Sequence, residues 1–227
     1  MIKDKKFIIF IIVIISACLA PVLFWAMEDD GNPTMILGVI ISAIVLISLV
    51  LISVANTEKA FSKLLEEQAQ KRAGRMIRQS GSPALLLRSV NYEYRVFPFS
   101  RGSGRSRLPY TGIDIQLPLL KDLKVNVRPE NALTGIGKAL GMKDLVFNHP
   151  AFDAAFVISS NHEQTVRKLL NMELRNALIS LRPKYPALTI EDGKVLFEVP
   201  ERVRESQVLD QMIVTFEILL KRLTEAR

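Results

Sequence analysis

Two apolar runs open the chain, FIIFIIVIISACLAPVLFWAM at residues 7–27 and MILGVIISAIVLISLVLISVA at residues 35–55. The short segment between them reads EDDGNPT. A helix needs about 20 apolar residues to cross the hydrocarbon core of a bilayer, and each run is long enough. The sequence therefore predicts a two-helix transmembrane hairpin over residues 1–55, with a soluble domain behind it.

The charges around the two runs predict how the hairpin is oriented. Basic residues precede the first run and follow the second: Lys3, Lys5, Lys6, Lys59, Lys63, Lys71, Arg72, Arg75 and Arg78. The connecting segment carries Glu28, Asp29 and Asp30 and has no Lys or Arg. Because basic residues stay on the cytoplasmic side, we expect a multi-pass protein of the cell (inner) membrane with both termini in the cytoplasm.

The first run has two alternative interpretations. As a signal peptide cut after Ala20, it would place Pro21 just past the cleaved bond, and it is longer than the usual apolar core of such a signal. Ile15-Ser16-Ala17-Cys18 resembles a bacterial lipobox, in which Cys18 would be lipidated, although the chain stays apolar through Met27. Since Cys18 is the only cysteine, we expect neither an intrachain disulfide nor a cysteine-based metal cluster.

The second run contains two small residues, Gly38 and Ser42, at a spacing that permits close helix approach. The two helices of the hairpin could pack together there. Alternatively, Gly38 and Ser42 could form the contact of a homo-oligomer, and the sequence leaves both interpretations open.

Positive charge is concentrated in the first half of the soluble domain. The chain has 227 residues and a formal net charge of +7. The basic residues of segment 82–129 are Arg88, Arg95, Arg101, Arg105, Arg107, Lys121, Lys124 and Arg128, against the acids Glu93, Asp114 and Asp122. Anionic lipid headgroups attract such a segment by about 1 kcal/mol per basic residue. Membrane lipids are favoured over nucleic acid as a partner, because the predicted anchor already lies in an anionic leaflet.

Residues 56–81 are predicted to form a juxtamembrane helix and a linker. Phe61, Leu64 and Leu65 recur at helical spacing over residues 56–78, and charged residues occupy the other side. A coiled-coil stalk, an interfacial helix and a helix packed on the domain are the three interpretations, and the last two are favoured because the segment spans only about three heptads. The following Gln-Ser-Gly-Ser-Pro sequence, residues 79–83, predicts a flexible joint.

The domain at 82–227 is expected to open with short strands, because its apolar residues alternate with polar ones. The alternating sets are Val90, Tyr92, Tyr94 and Val96, then Ile113, Ile115 and Leu117, then Leu123, Val125 and Val127. Four prolines are expected to keep these strands short or at sheet edges: Pro98, Pro109, Pro118 and Pro129.

A loop with three arginines, Arg101, Arg105 and Arg107, separates two of these strands. Guanidinium groups match phosphate geometry, so the loop is a candidate site for a small ligand or a lipid headgroup. Alternatively, it is only a mobile, soluble hairpin connection.

The sequence contains none of the common catalytic or cofactor-binding motifs. Gly135-Ile136-Gly137-Lys138-Ala139, in a helix predicted at 130–141, departs from a phosphate-binding loop, because Ala132 and Ala139 replace the first glycine and the hydroxyl residue. The only histidines are His149 and His162, and none of the common hydrolase, zinc or redox motifs occurs. We therefore expect no catalytic residues, no metal site and no cofactor.

The sequence of the second half of the domain predicts a strand at 154–159 and a helix at about 162–181 that Asn161 caps. It further predicts a hairpin with its turn at Asp192-Gly193 and a final helix that begins near Ser206. Together with the earlier strands, these elements indicate an α+β domain, in which a mainly antiparallel sheet is backed by helices.

A distinctive motif precedes these elements: Pro150-x-Phe152-Asp153-x-x-Phe156, in which two aromatic residues and a turn-forming acid suit a structural role. The motif and the Leu-rich helix after it resemble uncharacterised bacterial membrane proteins, in which transmembrane helices precede a cytoplasmic domain of unknown function. This resemblance implies a class of protein and no activity. Such proteins often have Gly-Asp before the proline, where this chain has Asn148-His149.

The sequence favours a membrane-anchored cytoplasmic interaction domain, a scaffold or adaptor that binds a protein partner and catalyses nothing. The alternative is a membrane-tethered sensor, which would bind an anionic headgroup or small ligand through its basic face.

Overall fold

The computed structural model describes residues 33–79, 81–89, 91–103, 106–130 and 143–225, without the side chains at 33–39, 49–55 and 143–144. The first predicted transmembrane helix, Cys18, Arg105 and the helix predicted at 130–141 therefore lie outside the described residues. The chain divides into two compact units, Met1–Ala60 and Phe61–Arg227.

Helix α1 spans Pro33–Lys71 and includes the whole second apolar run. Its described side chains in that run, at 40–48, include five exposed large apolar residues: Ile40, Ile41, Ile44, Val45 and Leu46. Among the residues that the structure describes fully, no helix is long and apolar enough to cross a membrane. Gly38 and Ser42 both lie on α1, and their role as an oligomer contact stays a prediction.

The predictions of a helix up to Arg78 and of a flexible joint after it are wrong. Ala73 has a left-handed backbone, with a φ of 50°, and the Gly74 amide donates to the carbonyl of Ala69, 2.8 Å away. This closure ends α1, as left-handed residues commonly end helices. The chain then forms a strand at Arg75–Gln79, which turns directly into the next strand.

In the described part of the chain, nine strands form one sheet in the order β1-β2-β3-β4-β9-β8-β5-β7-β6, and every neighbouring pair is antiparallel. The strands are β1 Arg75–Gln79, β2 Ser82–Ser89, β3 Tyr92–Arg101, β4 Leu108–Gln116, β5 Val125–Pro129, β6 Lys143–Asp144, β7 Phe156–Ser160, β8 Ala187–Glu191 and β9 Lys194–Val199. The helices after α1 are α2 Pro150–Asp153, α3 Glu163–Leu169, α4 Met172–Ser180 and α5 Ser206–Glu225, with short 3-10 turns at Pro118–Leu120 and Arg182–Lys184. The predicted α+β class, an antiparallel sheet backed by helices, is confirmed.

One face of the sheet, which we call the core face, carries the apolar residue of each alternating pair. Its strand residues include Tyr94, Val96, Ile113, Phe197 and Ile158, all nearly inaccessible to solvent. The buried side chains of α3, α4 and α5 join the same cluster. Because the side chains of a strand alternate between its two faces, the whole core lies on one side of the sheet.

The last turns of α1 belong to this core. Phe61, Leu64 and Leu65 are buried against it, so this part of the helix packs on the domain rather than standing as a free stalk. The compact unit accordingly begins at Phe61, because β1 and the end of α1 both contribute to it.

Pro98 and Pro109 lie inside strands β3 and β4, although prolines were expected to end strands or mark sheet edges. The pairing of β2 with β3 ends at Leu85 and Val96, so Pro98 lies beyond the last paired residues of these two strands. Proline lacks an amide hydrogen and is tolerated where no ladder bond is required.

The helix predicted at 162–181 is two helices, α3 and α4, and Asn161 does not cap the first of them. Asn161 instead accepts a hydrogen bond from the Lys124 amide and donates one to the Asp122 carbonyl. Asn171 begins the second helix, because its side chain accepts from the Leu174 amide at 3.0 Å. The hairpin predicted at Asp192-Gly193 is confirmed, with φ values of 51° and 74°.

We expect Asn171→Ala to lower the free energy of unfolding by about 1 kcal/mol, because it removes the side-chain oxygen that caps α4. Asn176→Ala is the matched control, since Asn176 is an exposed residue in the same helix. Urea denaturation of the full-length chain in detergent measures both. Equal stability of the two variants would contradict the capping role.

Candidate interaction surface

The face of the sheet opposite the core face carries polar, charged and aromatic side chains, and we call it the second face. Strand β3 places four alternate residues on this face: Arg95, Phe97, Phe99 and Arg101. Tyr94 and Val96, which lie between them along the strand, are on the core face. Within the described residues, none of the second-face side chains of β3, β4 and β9 belongs to the hydrophobic core cluster. This side of the sheet must therefore be stabilised by something other than helix packing.

An ion pair crosses the second face between β3 and β4. Arg95 donates to both carboxylate oxygens of Asp114, at 2.9 and 2.6 Å, in a two-pronged contact. The Lys194 ammonium on β9 lies 3.6 Å from the same carboxylate. Because the Asp114 side chain is only 5% exposed, the two cations supply the compensation that a buried carboxylate requires.

A second ion pair joins Arg101 on β3 to Glu198 on β9. The Arg101 Nη1 to Glu198 Oε1 distance is 2.5 Å, and the side chains are 50% and 5% exposed. The other carboxylate oxygen, Oε2, is buried and has no hydrogen-bond partner in the part of the chain that the structure describes. Burial raises the pKa of the Glu198 carboxyl, and the positive charges of Arg101, Lys194 and Arg128 oppose that rise.

Aromatic rings lie beside these pairs and are half-buried. Phe97, Phe99 and Tyr110 form a row, with centroids 5.4 and 5.3 Å apart. The Arg101 guanidinium lies 5.5 Å from the Phe99 centroid and 5.4 Å from the Tyr110 centroid, and Arg95 lies 5.1 Å from Phe97. We call Arg95, Phe97, Phe99, Arg101 and Tyr110 the aromatic–arginine patch.

Gly112 makes room for the patch. It pairs with Phe97 on one side and with Glu198 on the other. A Cβ atom at this position would lie 2.8 Å from Cε1 of Phe99, closer than carbon atoms approach. A side chain at this position would therefore displace the Phe99 ring.

Of the three arginines predicted as a ligand site, the structure describes Arg101 and Arg107. Arg101 belongs to the patch and is held by Glu198. Arg107 lies outside the strands, is exposed and takes part in another contact, while Arg105 lies outside the described residues. Their binding of a ligand or headgroup stays a prediction.

The Pro150–Phe156 motif folds into α2 and the start of β7. Asp153 accepts hydrogen bonds from the amides of Phe147 and His149, at 3.0 and 2.8 Å, while the His149 ring accepts from the Phe152 amide. Phe152 and Phe156 are buried with centroids 5.2 Å apart. These contacts turn the chain and anchor it in the core.

Another polar cluster ties the end of α1 to α5. Arg72 pairs with Asp210 at 2.7 Å and with Glu217 at 3.0 Å, and the buried Tyr94 hydroxyl donates to Glu217. The Lys71 ammonium, and to a smaller extent the Arg72 guanidinium, lower the pKa of the Asp210 carboxyl. Burial, and then the hydrogen bond to Glu217, raise the pKa of the Tyr94 hydroxyl. Every side chain of this cluster has a partner within the fold, so the cluster stabilises the packing of the end of α1 on α5.

Sequence reasoning missed most of the second-face residues, including Asp114, Lys194 and Glu198. A signal did exist for the rings, because Phe97 and Phe99 break the alternation that places Tyr94 and Val96 in the core. The partners of the ion pairs lie on strands far apart in sequence, and only the register brings them together. Among the described residues, no group of His, Cys, Asp and Glu could hold a metal ion.

Comparison with known proteins adds a weak structural likeness. No protein-family model matches the chain, and no curated protein matches it in sequence. A crystal structure of the mycobacterial trehalose monomycolate transport factor A, TtfA, is similar with a TM-score of 0.47 and 9% sequence identity, over 71% of this chain and 95% of that chain. A likeness of this size does not carry function from one protein to the other.

We expect Arg101→Ala to destabilise the chain in a pH-dependent way. The raised pKa of Glu198 contributes stability below its ordinary value near 4.5, and this stability is lost as the pH rises through the folded-state pKa. Without Arg101 the charged carboxylate is less compensated. The loss of contact with the Phe99 and Tyr110 rings is the same at every pH, so the variant should be closest to the wild type near pH 4 and lose about a further 1–3 kcal/mol of unfolding free energy by pH 7.

Arg88→Ala is the control for this measurement, because Arg88 is 77% exposed and 3.9 Å from Glu93. It should cost less than about 0.5 kcal/mol across the same pH range. Urea unfolding at several pH values measures both variants. A flat, small effect of Arg101→Ala would contradict the role assigned to the buried carboxylate.

Proposed function

We propose that this chain is a membrane-anchored cytoplasmic interaction domain, a non-catalytic scaffold or adaptor. The observation that carries the proposal is the second face of the sheet. Half-exposed rings and guanidinium groups stand there on a rigid sheet, and aromatic and Arg side chains are enriched at protein interfaces.

The anchor rests on the apolar runs and on the exposure of α1. Ile41, Ile44 and Leu46 are each more than half exposed in the first unit. Large exposed apolar surfaces mark contact with a membrane or another protein. The run continues apolar on all sides of the helix over residues 35–55, which is typical of a segment surrounded by lipid.

The charge distribution supports a cytoplasmic location for the domain. The segment between the apolar runs is acidic, whereas Lys59 and Lys63 follow the second run. Positive charge close to a membrane helix keeps that end in the cytoplasm. The resemblance to bacterial membrane proteins with a cytoplasmic domain of unknown function agrees with this arrangement.

The two acids on the second face suit a binding role better than a catalytic one. Asp114 is held by Arg95 and Lys194, and Glu198 by Arg101. A general acid or base has to reach a reacting group, and these carboxylates are 5% exposed beneath their partners. They stabilise the surface and leave the cations and rings to meet a partner.

The alternative function, a sensor of anionic headgroups, would use Arg101, Arg105 and Arg107. Of the two that the structure describes, only Arg101 lies in the aromatic–arginine patch, while Arg107 lies outside the strands. We therefore place a protein partner first and lipid second.

Recovery of partners from membranes tests the proposed function. The full-length chain is cross-linked in its native membrane, extracted in mild detergent and analysed by mass spectrometry. We expect one or a few proteins to be recovered reproducibly. Failure to recover any protein, together with turnover of a small molecule by the purified chain, would overturn the proposal.

Topology is tested with single cysteines in a Cys18→Ser background, which removes the only native thiol. With a membrane-impermeant maleimide on intact cells, we expect Asn32→Cys to be labelled from outside. Lys221→Cys, at an exposed position of α5, should be labelled only after lysis. Labelling of Lys221→Cys in intact cells would contradict the cytoplasmic location.

A further inference from the structure

The charges of the second face are arranged in two layers. The carboxylates of Asp114 and Glu198 form the lower layer, with side chains 5% exposed. Arg95 is 32% exposed, and Arg101 and Lys194 are each 50% exposed. A partner approaching the sheet therefore meets the cations first.

The cations also outnumber the acids around the aromatic–arginine patch. Arg95, Arg101 and Lys194 form the ion pairs with the two carboxylates Asp114 and Glu198. With both carboxylates ionised, one positive charge is left over. Any neutral fraction of Glu198 adds to that excess, since burial favours its protonated form.

The rings of the patch supply apolar contact area that is already ordered. Phe97, Phe99 and Tyr110 are in mutual contact, and guanidinium groups lie over all three. Fixed aromatic side chains lose little conformational freedom on binding. Arg and Tyr are among the residue types that dominate binding energy at protein interfaces.

Acids that border the patch favour a short acidic segment over a polyanion. Glu93 lies opposite Arg88 and two residues before Arg95, and Glu191 lies opposite Lys194 and 3.3 Å from Lys124. A nucleic acid or a lipid surface would bring negative charge against both of these acids. A protein segment can match the patch alone, with carboxylates on the cations and side chains on the rings.

We infer that the aromatic–arginine patch, together with Lys194, is the docking surface for an acidic segment of a protein partner. This inference rests on the proposed function and names the surface and the chemistry of the partner. Carboxylates of the segment meet the outer sides of Arg101 and Lys194, and its apolar or aromatic side chains lie on Phe99 and Tyr110.

Site-specific photo-cross-linking of the full-length chain in its native membrane tests the surface. A photoreactive phenylalanine analogue replaces Tyr110 in the patch, and in a second variant it replaces Tyr185, an exposed tyrosine at the end of the 3-10 turn before β8. We expect position 110 to cross-link to a protein segment rich in Asp and Glu, and position 185 to give no such product. Cross-linking of position 110 to lipid only, or to nothing, would overturn the inference.

A product from position 185 alone would also overturn the inference, while leaving the proposed interaction function standing. The two failures are thus distinguishable, because the proposed function fails only when neither position reaches a protein and no partner is recovered by general cross-linking.

Charge substitutions test the chemistry of the partner. Lys194→Glu places a negative charge in the patch, and Lys221→Glu makes the same change of net charge on exposed α5. We expect the cross-linking yield from position 110 to fall about tenfold with Lys194→Glu, through repulsion of the acidic segment, and to stay unchanged with Lys221→Glu. Lys194→Gln, which adds no repulsion beside Asp114, should give an intermediate loss.

Equal losses in Lys194→Glu and Lys221→Glu, or no loss in either, would contradict an acidic partner at this surface. Thermal unfolding of each purified variant shows whether the fold is intact before cross-linking yields are compared. If Lys194→Glu unfolds, Lys194→Gln against Lys221→Gln provides the same comparison.

Discussion

One constraint shapes the part of Phe61–Arg227 that the structure describes: its helices pack on one face of a wide antiparallel sheet. Each strand must bury every second residue, and Tyr94, Val96, Ile113 and Phe197 do so against the helices. The residues between them face away from the core and cannot rely on it. Ion pairs and stacked rings take over the stabilisation of that second face.

This constraint accounts for an unusual placement of acids in the middle of a sheet. A buried carboxylate is tolerated only when cations and hydrogen bonds compensate it, and Asp114 and Glu198 each have an arginine in contact. The same arginines lie over aromatic rings, so they are ordered before any partner arrives. The side chains that compensate the carboxylates thus also form a positively charged aromatic surface.

Patterns that are local in sequence predicted their elements well. The alternation around Tyr94 predicts β3, and Asp192-Gly193 predicts the β8–β9 hairpin, because both depend on neighbouring residues. The end of α1 was missed, since an alanine with a left-handed backbone carries no sequence signal. The candidate surface was beyond prediction for a similar reason: Arg101 was noticed as a loop arginine, but its partner Glu198 is 97 residues away and only strand register joins them.

Hydroxyl-radical footprinting of the purified full-length chain tests the two-faced sheet most directly. Aromatic side chains of both faces are compared within one sample: Phe99 and Tyr110 on the second face, Tyr94 and Phe216 in the core. We expect Phe99 and Tyr110 to be oxidised readily and Tyr94 and Phe216 to be protected. Protection of Phe99 and Tyr110 to the level of Tyr94 would show that the second face is covered, and would contradict the account.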